Sequence, residues 1–124
     1  MSWLRSIFCA LAALLVFSSC ANNKSSSVIY HKLVYEVTSS PSVNMEIRYM
    51  YPGINVLSSS RGSSFRQECP GVEAGFGAFM SAQVITDKDH PTDAQVSIKI
   101  YLDDQLKCQT SDMNFAKLEF TVSE

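Results

Sequence analysis

Beyond Ser27 the chain alternates apolar and polar residues with a period of two, interrupted by short polar breaks. The clearest run is Gln95 to Leu102, where Val96, Ile98, Ile100 and Leu102 share one side and Gln95, Ser97, Lys99 and Tyr101 the other. A period of two places alternate side chains on opposite faces of a strand, one on a core and one in water. The same rhythm predicts strands over Ile29 to Thr38, with His31, Leu33, Tyr35 and Val37 on one side and Tyr30, Lys32, Val34 and Glu36 on the other, and over Val43 to Met50, with Val43, Met45, Ile47 and Tyr49 inward. Ala78 to Thr86 and Phe115 to Val122 repeat it, the latter with Ala116, Leu118, Phe120 and Val122 inward. Shorter strands are expected at Ile54 to Leu57, Phe65 to Cys69 and Gln105 to Thr110, with Leu106 and Cys108 inward. Asp103-Asp104 reads as a two-residue hairpin turn, although Asp-Gly is the better pair there. Ser58 to Ser64 is loop by composition, and Pro70-Gly71 is a turn. No helical period lasts three turns. The pattern predicts an all-β, antiparallel sandwich of about seven strands over residues 28–124.

The first twenty residues follow a different rule. Arg5 supplies a positive charge, Ile7 to Phe17 is an uncharged apolar run, and Ser18-Ser19 precede Cys20. This is the layout of a secretory signal peptide, a signal helix with small residues at its cleavage point. Eleven apolar residues fall short of the roughly 20 a membrane-spanning helix needs. Phe17-Ser18-Ser19-Cys20 resembles the bacterial lipobox, with Phe17 in place of the commoner Leu. The resemblance implies a signal over residues 1–19, cleavage before Cys20 and lipid on Cys20. Ala21 lacks the retaining aspartate of inner-membrane lipoproteins, which points to the outer membrane, the domain lying in the periplasm or on the cell surface. Residues 20–27, small and polar, then read as a tether.

Cleavage leaves about 105 of the 124 residues, near the commonest size for one domain. The formal net charge is −2, and no Lys/Arg cluster exists to neutralise phosphates, so nucleic acid is not the expected partner. With Cys9 in the signal and Cys20 lipidated, Cys69 and Cys108 remain. An exported protein meets an oxidising compartment, and an intramolecular disulfide is the favoured reading, two separate thiols the alternative.

Candidate chemistry is sparse. His31 and His90 have no second ligand at metal spacing. Asp87, Asp89 and Asp93 lack the glycine and glutamate of a calcium loop. No Gly-x-Ser-x-Gly elbow is present, and a structural disulfide accounts for Cys69 with fewer assumptions than a Cys-His dyad. Asp103 and Asp104 suit a turn for conformational reasons. No metal and no cofactor are expected, and the chain reads as non-enzymatic. Tyr30, Tyr51 and Tyr101 are the binding candidates, because exposed tyrosines stack on sugars or anchor protein partners.

Leu33-Val34-Tyr35-Glu36-Val37-Thr38, Met80-Ser81-Ala82-Gln83 and Val96 to Asp103 occur in an order that resembles the immunoglobulin-like sandwich of the mycobacterial small membrane proteins (MmpS type). It also resembles Bacteroidetes lipoproteins of similar size. Asp104 departs from the usual hairpin glycine, and a Ser-rich loop replaces the central Pro-Trp-type segment. The resemblance implies an immunoglobulin-like fold. The expected function is a lipid-anchored cell-envelope protein that binds an envelope protein or a ligand. An accessory subunit of an export system and a hydrolase or peptidase inhibitor are the alternatives.

Overall fold

The computed structural model describes residues 28–123. The expected signal (1–19), the tether (20–27) and Cys20 lie outside the described residues. Eight strands form: β1 (His31–Ser40), β2 (Met45–Met50), β3 (Leu57–Gly62), β4 (Ser64–Val72), β5 (Gly77–Val84), β6 (Gln95–Leu102), β7 (Gln105–Met113) and β8 (Phe115–Thr121). They pair antiparallel into two four-stranded sheets, β4-β1-β6-β7 and β3-β2-β5-β8. The sheets pack as a β-sandwich.

The inward positions read from the alternation form the core. Leu33, Tyr35 and Val37 from β1, and Val96, Ile98 and Ile100 from β6, meet Met45, Ile47 and Met80 of the other sheet, all fully buried. The Tyr35 hydroxyl, buried with its ring, donates to the Met50 carbonyl at 2.7 Å. Burial raises its pKa, because the phenolate would be desolvated. Tyr49 bridges the Tyr35 and Phe65 rings, with centroids 5.6 and 5.1 Å away.

Local expectations change in three regions. The strand expected over Ile54 to Leu57 is a turn that enters a strand only at Leu57, and the Ser-rich stretch after it is strand β3, not loop. Its inward residues Ser58, Ser60 and Gly62 pair with Tyr49, Ile47 and Met45. Small side chains suit that edge, because the single residue Ser63 joins β3 to β4 in the opposite sheet and leaves little room between the layers. Second, β4 continues through Pro70-Gly71. His31 pairs with Val72 and Leu33 with Cys69, so the extra residues bulge on an edge strand, where proline is tolerated. Gly71 supplies the positive φ of 73° that the bulge requires. Third, Leu106 is not inward. Tyr101 pairs with Leu106 but Ile100 with Cys108, so Lys107 is a bulge residue. Leu106 therefore turns to the outer face, while Cys108 stays on the inner side, half-buried.

The expected Cys69–Cys108 disulfide is corrected. Both are free cysteines. Cys69 lies on β4 and Cys108 on β7, the two edges of one sheet with β1 and β6 between them. Three strand spacings come to about 14 Å, far beyond the roughly 7 Å limit for bridged Cα atoms. Burial pushes the Cys69 thiol up to about 11, and the Cys108 thiol upward as well.

Candidate functional site

Strand directions divide the connections between two ends. The start of β1, the β2–β3 loop, the β4–β5 loop and the β6–β7 turn share one end, here the His31 end. The β1–β2 and β5–β6 loops and the corners at Ser63 and Asn114 share the other.

At the His31 end the expected two-residue turn is present, with Leu102 paired to Gln105. Asp103 and Asp104 both take positive φ, 51° and 67°, the requirement of a type I′ hairpin, which favours glycine or asparagine. Their carboxylates account for two aspartates there. Asp103 Oδ2 lies 2.6 Å from His31 Nδ1, and Asp103 Oδ1 accepts the Lys32 backbone N–H at 3.0 Å. The Asp103 backbone N–H returns to the Lys32 carbonyl at 2.8 Å. Lys32 Nζ reaches Asp104 Oδ1 at 2.6 Å. The hydrogen bond from His31, followed by that from the Lys32 backbone, holds the Asp103 carboxyl below the usual aspartate range. An ionised carboxylate only accepts, which places the imidazole proton on Nδ1. The arrangement clamps the hairpin tip to the start of β1.

Beside the clamp lies a cleft of about 370 Å³ lined by His31, Gln105, Lys107, Phe120 and Ser123. Its imidazole, amide, ammonium and hydroxyl groups can hydrogen-bond a small polar or anionic group beside the Phe120 ring. A second concavity, of about 240 Å³, lies on the outer face of the second sheet. Phe79 and Phe115 flank it above Ser81 and Gln83. Its Arg48 guanidinium is bonded to Glu46 at 3.1 and 2.8 Å. Among the described residues no three His, Cys, Asp or Glu side chains gather as metal ligands.

Around the His31 end stand Val28, Ile29 and Tyr30 before β1, and Ile54, Val56 and Leu57 after β2. They are six of the ten large hydrophobic residues left exposed in the described domain. Since β1 and β2 face one another across the core, these two groups leave adjacent strand ends. Of the three candidate tyrosines, Tyr30 and Tyr51 belong to this end. Tyr30 is exposed, and Tyr51 is half-buried with part of its surface on the core. Tyr101 is apart from them, on the outer face of the first sheet between Val34 and Leu106. The structure thus brings together two of the three.

The His31–Asp103 pair spans 72 positions, and no local pattern announces it. The one available signal is the Asp-Asp turn itself: a non-glycine pair in a positive-φ turn suggests side chains kept for a partner elsewhere. No family model matches this chain, and a search of curated proteins returns no match. The fold defines its class, a two-sheet antiparallel β-sandwich.

Proposed function

We propose that this chain is a lipid-anchored cell-envelope protein, lipidated at Cys20, that works by binding rather than catalysis through the His31 end of an immunoglobulin-like sandwich. The supporting observation is the gathering of exposed apolar residues, with Tyr30 and Tyr51, at the end where the chain continues toward Cys20. Isolated exposed hydrophobics are ordinary, whereas a concentrated group marks an interaction surface.

The immunoglobulin-like assignment is supported by the pairing scheme. β1 pairs with β4, β2 with both β3 and β5, and β5 with β8. Those are the partnerships of strands B–E, C–C′, C–F and F–G in an immunoglobulin sandwich. On that assignment the β6–β7 hairpin is an insertion, and β6 takes the place beside β1 that strand A otherwise fills. The proposed site in the envelope is the outer membrane.

The test is made on the full chain in a bacterial envelope, with a photoreactive amino acid in place of Tyr30. Palmitate incorporation that disappears in Cys20→Ala, together with a discrete crosslinked adduct at position 30, is the expected result. An unlabelled parent protein refutes the anchor. A labelled protein with no adduct at position 30 refutes binding through this end.

A further inference from the structure

We infer that the surface covering the apolar rim of the His31 end is the lipid bilayer itself, so that the domain stands with this end seated in the headgroup region. The inference rests on the membrane-anchored reading above and names the partner of that same end. The rim consists of Val28, Ile29, Tyr30, Ile54, Val56 and Leu57.

Three observations favour lipid as the occupant. The chain outside the described domain attaches at this end. Twenty-seven residues precede Val28, and cleavage before Cys20 leaves only Cys20 to Ser27 of them, beginning with the lipidated cysteine. Only eight positions separate Val28 from Cys20, a reach of at most about 29 Å even fully extended. A lipid on Cys20 therefore keeps the rim close to the bilayer, where docking is intramolecular and a weak apolar contact suffices.

The composition of the rim also suits an interface: aliphatic side chains, with Tyr30 among them and Tyr51 beside them. Tyrosine is enriched where an apolar body meets headgroups. The two aspartates of the hairpin turn at this end, meanwhile, are paired internally. His31 holds Asp103 and Lys32 holds Asp104, so the acidic turn does not face the anionic surface as two free carboxylates. The arrangement matches shallow apolar insertion beside an anchor and does not depend on a basic patch.

The opposite end provides an internal control. Met113 is 62% exposed, comparable with Ile29 at 68%, but lies at the far end of the sandwich. The eight-residue β6 puts that end roughly 27 Å away.

The experiment uses the full chain, acylated in a bacterial host and reconstituted into phosphatidylethanolamine–phosphatidylglycerol vesicles with brominated acyl chains. Ile29→Trp, Val56→Trp and Met113→Trp are compared; Trp3, the one tryptophan of the sequence, leaves with the signal on cleavage before Cys20, so the acylated parent supplies the tryptophan-free blank. Flotation with the vesicles is measured in parallel, and thermal melts confirm that each variant is folded. The expected result is co-flotation of all three, with emission from the Ile29→Trp and Val56→Trp proteins blue-shifted and quenched at least about twofold more than from Met113→Trp, as interfacial insertion requires. Co-flotation with equal quenching at all three positions overturns the seating and leaves the anchor standing. Failure to float overturns the anchor and the seating together. In native envelopes, a blue shift at positions 29 and 56 with crosslinks to protein and none to lipid assigns the rim to a protein partner and overturns the proposal.

Discussion

Asn114 is the single residue between β7 in the first sheet and β8 in the second, and its replacement tests how the corner is held. Its φ is 65°. Its backbone N–H donates to Ala94 O at 2.9 Å, and its carbonyl accepts from Val84 N at 2.8 Å. Its side-chain Oδ1 accepts the Ala94 N–H at 3.0 Å, and Nδ2 donates to Asp93 Oδ1 at 2.9 Å. Ala94 is 1% exposed, so deleting Oδ1 leaves its N–H without this partner, at a cost of about 1–3 kcal/mol. Alanine also resists the left-handed region by about 1–2 kcal/mol. Asn114→Ala is thus expected to lose about 2–5 kcal/mol, a fall of at least about 8 °C in melting temperature at about 4–8 °C per kcal/mol for a domain of this size. Asn114→Gly removes the same side-chain bonds but accepts the backbone angle. After its added unfolded-state freedom it stands about 0.5–1 kcal/mol above alanine. Asn114→Asp keeps the acceptor for Ala94 but exchanges the donor to Asp93 for a second carboxylate 2.9 Å away, so its loss grows as pH rises and both ionise. Urea denaturation of the full chain in mild detergent, followed by circular dichroism, measures all four proteins. An Asn114→Ala protein within about 0.5 kcal/mol of the parent refutes the reasoning. A glycine variant weaker than alanine refutes its backbone part.

Two further predictions concern titration. Because the folded-state pKa of Asp103 is lowered, its contribution is fully present above the ordinary aspartate range and is lost as pH falls through the folded value. Asp103→Asn should therefore flatten the acid limb of stability, read as urea midpoints from neutral pH downward, and an unchanged acid limb rejects the clamp. Among the thiols of the described domain, maleimide labelling at mildly alkaline pH followed by peptide mapping should modify half-buried Cys108 well before buried Cys69. Equal rates, or a Cys69–Cys108 crosslinked peptide under non-reducing conditions, contradict the edge-to-edge separation.

What the sequence made legible follows from how each signal is encoded. β2, β6 and β8 have large alternating side chains, so their inward faces can be read from composition and period together. β3 has the same period but carries serine and glycine on its inward face. Its strand character comes from pairing with β2 at a narrow edge, a tertiary effect that intrinsic preference does not carry. Leu106 fails for a different reason. One bulge residue, Lys107, reverses the face of everything before it, and a count of two from Cys108 cannot detect the insertion. The disulfide expectation fails because cysteine number and compartment say nothing about which strands are neighbours. Tyr30 and Tyr51 were legible as aromatic residues beside breaks in the pattern. That they share an end depends on β1 and β2 running in opposite directions in facing sheets.

The wiring of the sandwich gives a physical reason for placing the proposed binding surface at the His31 end. The chain passes from one sheet to the other five times, and four of those passages occur at the Asn114 end: β1–β2, β3–β4, β5–β6 and β7–β8. Two of the four are single-residue corners. Backbone bonds draw that end together further, with Ile85 N on Asn44 O at 2.9 Å and Val84 N on Asn114 O at 2.8 Å. Both within-sheet hairpins, β2–β3 and β6–β7, fall at the His31 end. A hairpin tip can vary or present side chains without altering how the sheets are joined, whereas a corner cannot. The Asn114 end therefore fixes the relation of the two sheets and leaves the other end free to carry exposed apolar residues. The His31–Asp103 and Lys32–Asp104 pairs keep the β6–β7 tip in register with β1 there. Joining thus occupies one end of the sandwich and the proposed recognition the other, and the chain toward Cys20 leaves from the latter.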